Sequence, residues 1–542
     1  MTARRTRRPA RSKVARADAG TATGQFLIGD FLRRSGQRLP ERTALITPAG
    51  TIDYAGLDAR ANRVANALLA EGVGPGRKAA ILATNHFEYA AIYFGAARAG
   101  CILAHLNVRY TADDIAYVLD KTEVEVLFVE ASQLALAQAA RQRLKRVRLL
   151  VVFGSTGPAD TVPLDRFVAD RPDAAPAVAI AETAPYAVTY TGGTTGFPKA
   201  VVSSHRARWV TATTVLGHFG LEDRDVVACV TPLFHAAALF VWFQPAIMLG
   251  CTVVLQPTWD PEEFMQLVER HEVTAAFLVP TQINGLLGHP AFDARRLATL
   301  RKVTYAGAPM PLALIQRAMA TLPAVAFSEN YGQSEAGGPM TVREPWEVDK
   351  AHTVGRPAFN IDVAVVDSVT GKPVPRGMTG EIVTRGEHVT LGYYNDPEQT
   401  AQLYRGEPGW LYTGDVGHFD EDGYLIISDR SKDMIVSGAE NIYPAEVENA
   451  LYKHELVAEC AVFGVPDDHW GEVPAAHVVL RADGVAGADT EELLIEFVAR
   501  RIPRHKRPRF VKFVESLPKT AVGKIQKNII RAPYWEGRAK KI

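Results

Sequence analysis

The stretch Tyr190-Thr-Gly-Gly-Thr-Thr-Gly-Phe-Pro-Lys199 decides how the rest of the chain is interpreted. It follows an apolar run, Ala187–Tyr190, that predicts a strand. A loop rich in glycine and threonine presents backbone N–H groups and hydroxyls in a concave nest, which suits polyphosphate oxygens, and Lys199 adds a positive charge. The spacing is neither that of a Walker A loop nor that of the dinucleotide-binding fingerprint. The stretch therefore predicts a phosphate-binding loop of another kind, with a flexible turn as the plain alternative.

Strand-like and helical segments alternate on both sides of this loop, from about Phe26 to Leu425. Such alternation is typical of α/β layering with mostly parallel sheets. The clearest segments are Lys78–Ala83, His86–Ala99, Val124–Glu130, Val226–Val230, Cys251–Leu255, Ala275–Val279 and Lys302–Ala306. We therefore predict an α/β fold with a large N-terminal domain of layered sheets.

The sequence pattern changes twice in the C-terminal third of the chain. Residues 361–424 are rich in β-like runs and turn signals, which predicts a β-rich subdomain. The charged cluster Asp429-Arg-Ser-Lys-Asp433 then separates a last unit with its own helices and strands. We predict a basic disordered arm over 1–24, the N-terminal domain over 25–430, a hinge over 431–434 and a small mobile α+β domain over 435–542.

Composition excludes several classes of protein. Lys+Arg and Asp+Glu both number 60 among 542 residues, and this balance argues against a nucleic-acid-binding role. The four cysteines are far apart, as expected of reduced thiols in a cytoplasmic protein. No stretch is long and apolar enough to span a bilayer. The Arg-rich first residues are expected to be a disordered arm, with a transit peptide as the alternative.

Further motifs follow the loop in a fixed order, and together they resemble the adenylate-forming superfamily of acyl-CoA synthetases, luciferases and peptide-synthetase adenylation domains. The resemblance covers essentially everything from Phe26 to Arg531. The motifs are Pro232-Leu-Phe-His235, Asn330-Tyr-Gly-Gln-Ser-Glu335, Tyr412-Thr-Gly-Asp415, Asp429-Arg-Ser-Lys432, Ser437-Gly-Ala-Glu-Asn-Ile-Tyr-Pro444 and Pro518-Lys-Thr-Ala-Val-Gly-Lys524.

The resemblance implies an ATP site with Mg²⁺. Asp415 would accept hydrogen bonds from the ribose hydroxyls, and Arg430 would lie near the ribose and the phosphates. Without the resemblance, Asp415 would be interpreted as a turn-capping residue and Arg430 as a surface charge. Glu335 offers the hard oxygen that Mg²⁺ prefers, with Thr194 as a second metal contact. Ser334 replaces the family's usual Thr, and Gly192 a frequent Ser. The implied ATP contacts are Thr191, Gly192, Gly193, Thr194, Thr195, Gly196, Lys199, Asn330, Tyr331, Gly332, Ser334, Asp415 and Arg430.

Lys524 is the implied catalytic residue, together with Glu335. Attack of a carboxylate on the α-phosphorus joins two anions, so a positive charge that stabilises the developing negative charge is needed. His235 resembles a gate beside the acid, and a buried core histidine is the alternative. The predicted acid-binding residues are His235, Ala236, Phe240, Gly307 and Gly338. With no Lys or Arg in this lining, a monocarboxylic aryl, alicyclic or medium-chain acid is favoured.

Small residues after Ser437 resemble the CoA-ligase version of their motif, in which the pantetheine thiol reaches the adenylate. The implied CoA contacts are Ser437, Gly438, Ala439, Trp470 and Arg507. Arg507 lies in a basic cluster that could instead be a solvated turn. Lys432 matches the family's hinge position, about which the C-terminal domain rotates between half-reactions.

The sequence thus predicts an ATP-dependent carboxylic acid–CoA ligase that uses ATP, Mg²⁺ and CoA. Its partners would be small molecules, without nucleic acid or a membrane span, and a homodimer stays open. The alternatives are a stand-alone adenylation enzyme that loads a carrier protein and a non-catalytic nucleotide sensor on the same fold.

Overall fold

The structure is a computed structural model that describes residues 26–191, 198–430, 433–437, 440–482, 484–520 and 523–536. Within these residues, four sheets and their helices confirm the predicted α/β class and the separate C-terminal domain. The helices are α1 (Gly29–Arg38), α2 (Tyr54–Ala70), α3 (Phe87–Ala99), α4 (Ala112–Lys121), α5 (Leu134–Arg141), α6 (Leu164–Phe167), α7 (His205–His218), α8 (Gln244–Leu249), α9 (Pro261–His271), α10 (Pro280–Leu287), α11 (Leu312–Thr321), α12 (Pro397–Leu403), α13 (Pro444–Leu451), α14 (Ala488–Ala499) and α15 (Lys527–Arg531).

The first large sheet has the order β16-β15-β14-β13-β12-β10-β11-β1-β2. Its central pairs, from β14 to β1, are parallel, as predicted for this domain. Its strands are β1 (Thr43–Thr47), β2 (Gly50–Asp53), β10 (Val226–Cys229), β11 (Thr252–Leu255), β12 (Ala275–Leu278), β13 (Lys302–Tyr305), β14 (Ala326–Gln333), β15 (Gly338–Arg343) and β16 (Arg356–Pro357).

The second large sheet has the order β7-β6-β5-β3-β4-β8-β9 and is parallel except for the last pair. That antiparallel pair carries the ends of the predicted phosphate loop, because Thr191 is in register with Lys199. Its strands are β3 (Lys78–Leu82), β4 (Ile102–Leu106), β5 (Val126–Glu130), β6 (Leu149–Phe153), β7 (Val162–Pro163), β8 (Pro185–Thr191) and β9 (Lys199–Ser204).

A helical layer fills the space between these two sheets. Twelve residues of α3 are buried, and the helix ends at Gly100, whose φ of 71° is the left-handed conformation that glycine adopts readily. Alternate residues of β3 divide between the two faces of their sheet: Ile81 contributes to the central core and Leu82 to the outer one. Strands buried on both faces explain the continuous apolar runs in the sequence.

Two smaller antiparallel or mixed sheets complete the chain. One has the order β17-β18-β19-β20, and the other joins β22-β21-β24-β23 with β25 parallel to β24. Their strands are β17 (Asp362–Val366), β18 (Gly380–Arg385), β19 (Leu411–Phe419), β20 (Leu425–Arg430), β21 (Ile435–Ser437), β22 (Glu440–Ile442), β23 (Val457–Asp467), β24 (Gly471–Leu480) and β25 (Val511–Phe513). No helix in the described ranges is long and apolar enough to cross a membrane.

Candidate active site

The predicted ribose-binding carboxylate lies at the junction of two sheets. Asp415 on β19 is buried, and its Oδ2 accepts a hydrogen bond of 2.7 Å from the phenol of Tyr331 on β14. The backbone N–H of Asp415 donates to the Thr413 hydroxyl at 3.1 Å. Arg430 on β20 is in antiparallel register with Asp415. The structure therefore brings three of the predicted ATP-site residues to one place from motifs that are far apart in the chain.

Asn330 and Gly332 flank Tyr331 on the same strand. Asn330 is buried, and Gly332 is held so close to β15 that a Cβ there would collide with the carbonyl oxygen of Gly338. Gly332 is thus required because no side chain fits between these two strands. This close approach also places the ATP-site motif next to Gly338, one of the predicted acid-binding residues.

The carboxylate of Glu335 lies beside both ends of the predicted phosphate loop. Its Oε1 accepts hydrogen bonds from the Thr191 hydroxyl at 3.1 Å and from the Tyr393 phenol at 3.0 Å. The Lys199 ammonium lies 5.1 Å from the centroid of the Tyr393 ring. Ser334, the preceding residue, is half-buried. The residues between the loop ends, Gly192, Gly193, Thr194, Thr195 and Gly196, lie outside the described residues.

These loop ends are fixed by the elements on either side. β9 leads directly into α7, and the Ser204 hydroxyl caps that helix by accepting from the Ala207 N–H at 3.1 Å. An acceptor at this position satisfies a helix N–H that would otherwise lack a partner. The cap therefore fixes the strand that holds Lys199 relative to the helix behind the acid site.

His235 begins the predicted acid side. The ring is half-buried, and its Nδ1 accepts from the Ala237 N–H at 3.3 Å. Burial, and then the positive charge of Lys524, lower the pKa of His235 to about 4. His235 is therefore neutral at physiological pH, which suits a binding role beside a carboxylate.

The following segment, Ala237–Phe243, is a π-helix. π-helical turns are uncommon and often occur at functional sites. Ala236 just before it is half-buried, whereas Phe240 within it is almost completely buried. Of the two predicted glycines, Gly307 is exposed, and Gly338 packs against Thr211 of α7.

Lys524 reaches this site from the C-terminal domain on a tight turn. The Thr520 N–H donates to the carbonyl of Lys524 at 2.8 Å, and the Lys524 N–H donates to the Thr520 hydroxyl at 3.1 Å. Gly523 has a φ of 77°, and a Cβ there would collide with the Thr281 hydroxyl at the start of α10. The Arg109 guanidinium donates to the Thr520 carbonyl at 3.2 Å. The turn is thus seated on the N-terminal domain with Lys524 beside His235.

Sequence reasoning missed Arg208, which lies directly behind the predicted acid wall. The side chain is fully buried, donates to the Gly337 carbonyl, and stacks with its Cζ 4.9 Å from the centroid of Phe240. Burial lowers the pKa of Arg208 to about 10, so it stays charged at neutral pH. Arg208 is thus a buried cation in contact with Phe240, one of the predicted acid-binding residues.

Tyr393 and Arg109 were also missed. Tyr393 follows Gly392, whose backbone pairs with β9, and only that tertiary pairing places its phenol on Glu335. Arg109 is separated from Thr520 by 411 positions. Neither residue has a local signal of function in the sequence.

The residues predicted to bind CoA are less closely grouped. Ser437 on β21 is in register with Gly471, next to Trp470, which is 49% exposed. Arg507 instead lies 3.8 Å from the Glu496 carboxylate. Gly438, Ala439 and the hinge residue Lys432 lie outside the described residues, as does the side chain of Arg430.

Two family models match the chain, one in each domain. Residues 32–394 match the family model of the AMP-binding enzymes, and residues 446–524 match that of the AMP-binding enzyme C-terminal domain. The chain is 36% identical over 510 residues to a feruloyl-CoA synthase of Amycolatopsis sp, covering 94% of this chain and 99% of that protein. It is 33% identical over 506 residues to an indoleacetate–CoA ligase of Aromatoleum aromaticum, covering 93% and 97%.

A solved structure is similar over nearly the whole length. The crystal structure of the anthranilate CoA ligase AuaEII in complex with anthranoyl-AMP superimposes with a TM-score of 0.89 at 27% identity, covering 94% of this chain and 98% of that one. The motif order, the seating of the Lys524 turn against Arg109 and Thr281 of the N-terminal domain, and both family matches lead to one conclusion. The chain belongs to the AMP-binding enzyme family, the adenylate-forming superfamily.

Proposed function

We propose that this protein is an ATP-dependent carboxylic acid–CoA ligase. An oxygen of the acid carboxylate would form a bond to the α-phosphorus of ATP while the bond to pyrophosphate breaks. The CoA sulfur would then bond to the acyl carbon while AMP leaves and the thiol proton passes to solvent. The observation that supports this most directly is the seating of the Lys524 turn on the N-terminal domain through the Arg109–Thr520 hydrogen bond, where the Lys524 charge lowers the pKa of His235. The CoA-ligase names of several relatives support the same acceptor.

Lys524 is the proposed catalytic residue of the first step. A carboxylate that attacks a phosphate brings negative charges together, and a preorganised ammonium stabilises the charge that develops. The close packing of Gly523 against Thr281 and the Arg109–Thr520 hydrogen bond would hold the backbone that carries Lys524 before reaction. Preorganisation matters because little rearrangement is then needed in the transition state.

His235 is proposed to contact the acid and not to remove a proton. The acid is already ionised near neutral pH and needs no base. A neutral imidazole can donate one hydrogen bond to a carboxylate oxygen without forming an ion pair that would hold the acid too tightly. The lowered pKa of His235 fits this role, since both burial and Lys524 disfavour the imidazolium.

ATP would be held by residues that act on its different parts. Asp415, oriented by Tyr331, is placed to accept from the ribose hydroxyls. Lys199 and the hydroxyl of Thr191 mark the two ends of the loop proposed to hold the phosphates. Ser334 keeps the hydroxyl needed for an α-phosphate contact.

Glu335 fits Mg²⁺ by the chemistry of its surroundings. Its carboxylate is buried and bound by two neutral hydroxyl donors, so the negative charge has no cationic partner among the described residues. Hard carboxylate oxygens are preferred ligands of Mg²⁺, which commonly binds one or two carboxylates and substrate phosphates. When bound, Mg²⁺ would neutralise charge on the phosphates. In the described ranges, no group of three His, Cys, Asp or Glu side chains is arranged to hold a metal ion.

The acid is proposed to be an aryl, alicyclic or medium-chain monocarboxylate. Small residues at Ala236, Gly307 and Gly338 leave room for a ring, and the relatives named for ferulate and indoleacetate act on ring-bearing acids. Four buried free cysteines suit the reducing cytoplasm, where ATP and CoA are available. The domain limits, the hinge at 431–434 and a homodimer stay predictions.

The test is an acid panel followed by a comparison of acceptors. The purified protein is incubated with ATP, Mg²⁺ and carboxylic acids, and pyrophosphate and AMP are measured. The best acid is then offered with CoA or with candidate carrier proteins, and the products are identified by mass spectrometry. We expect AMP, pyrophosphate and an acyl-CoA. Loading of a carrier protein without acyl-CoA would favour the alternative acceptor, and ADP as the only spent nucleotide would refute the mechanism.

A further inference from the structure

A cleft with a volume of about 530 Å³ opens between the two domains, away from the residues assigned above. Helices α10 and α11 and the residue after α10 form the N-terminal side, and β23 and the two residues after β24 form the C-terminal side. The lining residues are Asn284, Gly285, Gly288, Arg317, Ala458, Arg481 and Ala482. The lining therefore holds two cations and no carboxylate, and each cation belongs to a different domain.

Arg317 on α11 is held in place but not neutralised. One guanidinium nitrogen, Nη2, donates to the Asn284 side-chain oxygen at 3.2 Å. Its Nε is buried and has no hydrogen-bond partner in the structure. No carboxylate of the described chain lies within ion-pair distance of Arg317. Burial, and then the charge of Arg481, lower the pKa of Arg317, which is what two cations without an anion between them would experience.

Arg481 approaches from the opposite side of the cleft. It follows β24, and its backbone N–H donates to the Leu456 carbonyl at 2.9 Å, which fixes the chain at this point. Its side chain is exposed, and it too forms no ion pair with a described carboxylate. The like charges therefore face the same cleft, where they repel each other unless an anion is present.

We propose that this interdomain cleft binds an oxyanion of the phosphate class, held jointly by Arg317 and Arg481. Guanidinium groups present planar pairs of N–H donors that match the oxygens of a phosphate. The Asn284 oxygen is engaged by Arg317, so its amide nitrogen is a further donor directed away from that bond. Free phosphate, pyrophosphate and the phosphate ester of a nucleotide share this chemistry.

The site exists only while both domains hold this arrangement. A ligand that binds one arrangement and not another stabilises the first by its binding free energy. Here the stabilised arrangement is the one in which Lys524 lies beside His235. The anion would therefore favour the adenylation step, a consequence that rests on the proposed function, whereas the binding itself does not.

Binding is tested on the full-length protein with inorganic phosphate. Isothermal titration calorimetry at constant ionic strength, adjusted with chloride, compares the wild type with Arg317→Gln and Arg481→Gln. The matched control is Arg500→Gln, which removes another exposed arginine from the end of α14. We expect about tenfold weaker binding in both cleft variants and wild-type binding in the control. Absence of binding, or equal binding in all four proteins, would overturn the proposal, since the phosphate would then bind elsewhere or not at all.

The linkage is tested with Arg481→Glu, which places a carboxylate opposite Arg317 and should replace the anion. We expect phosphate to accelerate acid-dependent pyrophosphate release by the wild type. The variant should release pyrophosphate at this faster rate without added phosphate. Pyrophosphate and 3′,5′-ADP, tested in parallel binding titrations, distinguish the sources of the anion. Binding without any rate effect in the wild type would overturn the linkage. A wild type that binds phosphate but releases no pyrophosphate with any acid would instead count against the proposed function.

Discussion

The phenol of Tyr331 donates a hydrogen bond of 2.7 Å to the Oδ2 of Asp415, across two different sheets. The two residues are 84 positions apart. Asp415 is buried, so its orientation depends on such fixed partners. This contact ties the strand of the Asn330–Glu335 motif to the carboxylate proposed to bind the ATP ribose.

Removing this phenol should weaken ATP binding more than it slows the chemical step. Tyr331→Phe deletes a hydrogen bond to a charged group, which is worth about 1.5–3 kcal/mol. We expect the KM for ATP to rise about tenfold with a smaller change in kcat, measured by pyrophosphate release at saturating acid. Asp415→Asn should raise the same KM further. An unchanged KM for ATP in both variants would show that this pair does not contact the nucleotide.

Lys524→Ala should reduce adenylation by about two to three orders of magnitude, the scale of losing one preorganised charge donor. Thioester formation from supplied acyl-adenylate should be largely retained, since that step does not join two anions. Single-turnover assays of each half-reaction provide the measurement. Equal losses in the two half-reactions would mean that Lys524 acts otherwise than proposed.

The Gly523 turn offers a test of how Lys524 is delivered. Gly523→Ala places a side chain at a φ of 77°, where L residues are strained, and directs its Cβ into Thr281. We expect adenylation to fall about tenfold or more and the free energy of unfolding to fall by about 1–2 kcal/mol, the cost of a non-glycine residue in this conformation. Thr281→Ala in the same chain should restore part of the activity, because it removes the colliding hydroxyl but not the backbone strain.

Tyr393→Phe tests whether Glu335 serves a metal. Loss of one of its two hydroxyl donors should leave the carboxylate less well oriented, and we expect a severalfold rise in the Mg²⁺ concentration that gives half-maximal activity. Thr191→Val should act in the same direction. Tyr394→Phe is the matched control, because that neighbouring phenol donates to Glu123 instead. A Mg²⁺ dependence that is identical in all these proteins would argue against the assignment.

Buried histidines should make the folded protein sensitive to acid. Burial lowers the pKa of His105, His205 and His388 to about 3, and that of His235 falls to about 4. Between these values and about 6.5 the unfolded chain binds protons that the folded chain does not, so stability falls as pH falls through this range. Burial raises the pKa of Glu329 to about 7, so the folded chain binds this proton more tightly than the unfolded chain does. The effect of Glu329 on stability therefore offsets that of one of the four histidines.

Chemical unfolding between pH 7 and pH 5 measures this dependence. We expect His105→Gln to reduce the mean slope over this range by about 1 kcal/mol per pH unit, whatever its effect on overall stability, because the unfolded-state imidazole is only partly protonated near pH 7. A free energy of unfolding that is constant between pH 7 and pH 5 would show that these histidines titrate normally.

Local pattern was enough for much of the fold. The run Lys78–Ala83 predicted a strand, and β3 occupies Lys78–Leu82. The segment His86–Ala99 predicted a helix, and α3 begins at Phe87. Both predictions work because alternation and helical periodicity are properties of neighbouring residues. The π-helix at Ala237–Phe243 was missed, since its altered hydrogen bonding leaves no distinct signal in an apolar run.

Motif order likewise brought out Lys524, Glu335 and Asp415 from the sequence alone, because each occurs in a short stretch with its own spacing. Their partners could not be obtained in this way. Tyr393 meets Glu335, and Arg109 meets Thr520, only because distant strands and turns pack together. The sequence on its own thus determined the family and the candidate groups for its chemistry, because motif residues and their spacing are local. The tertiary structure decided which of them touch, since a contact depends on the path of the whole chain and not on the residues beside it.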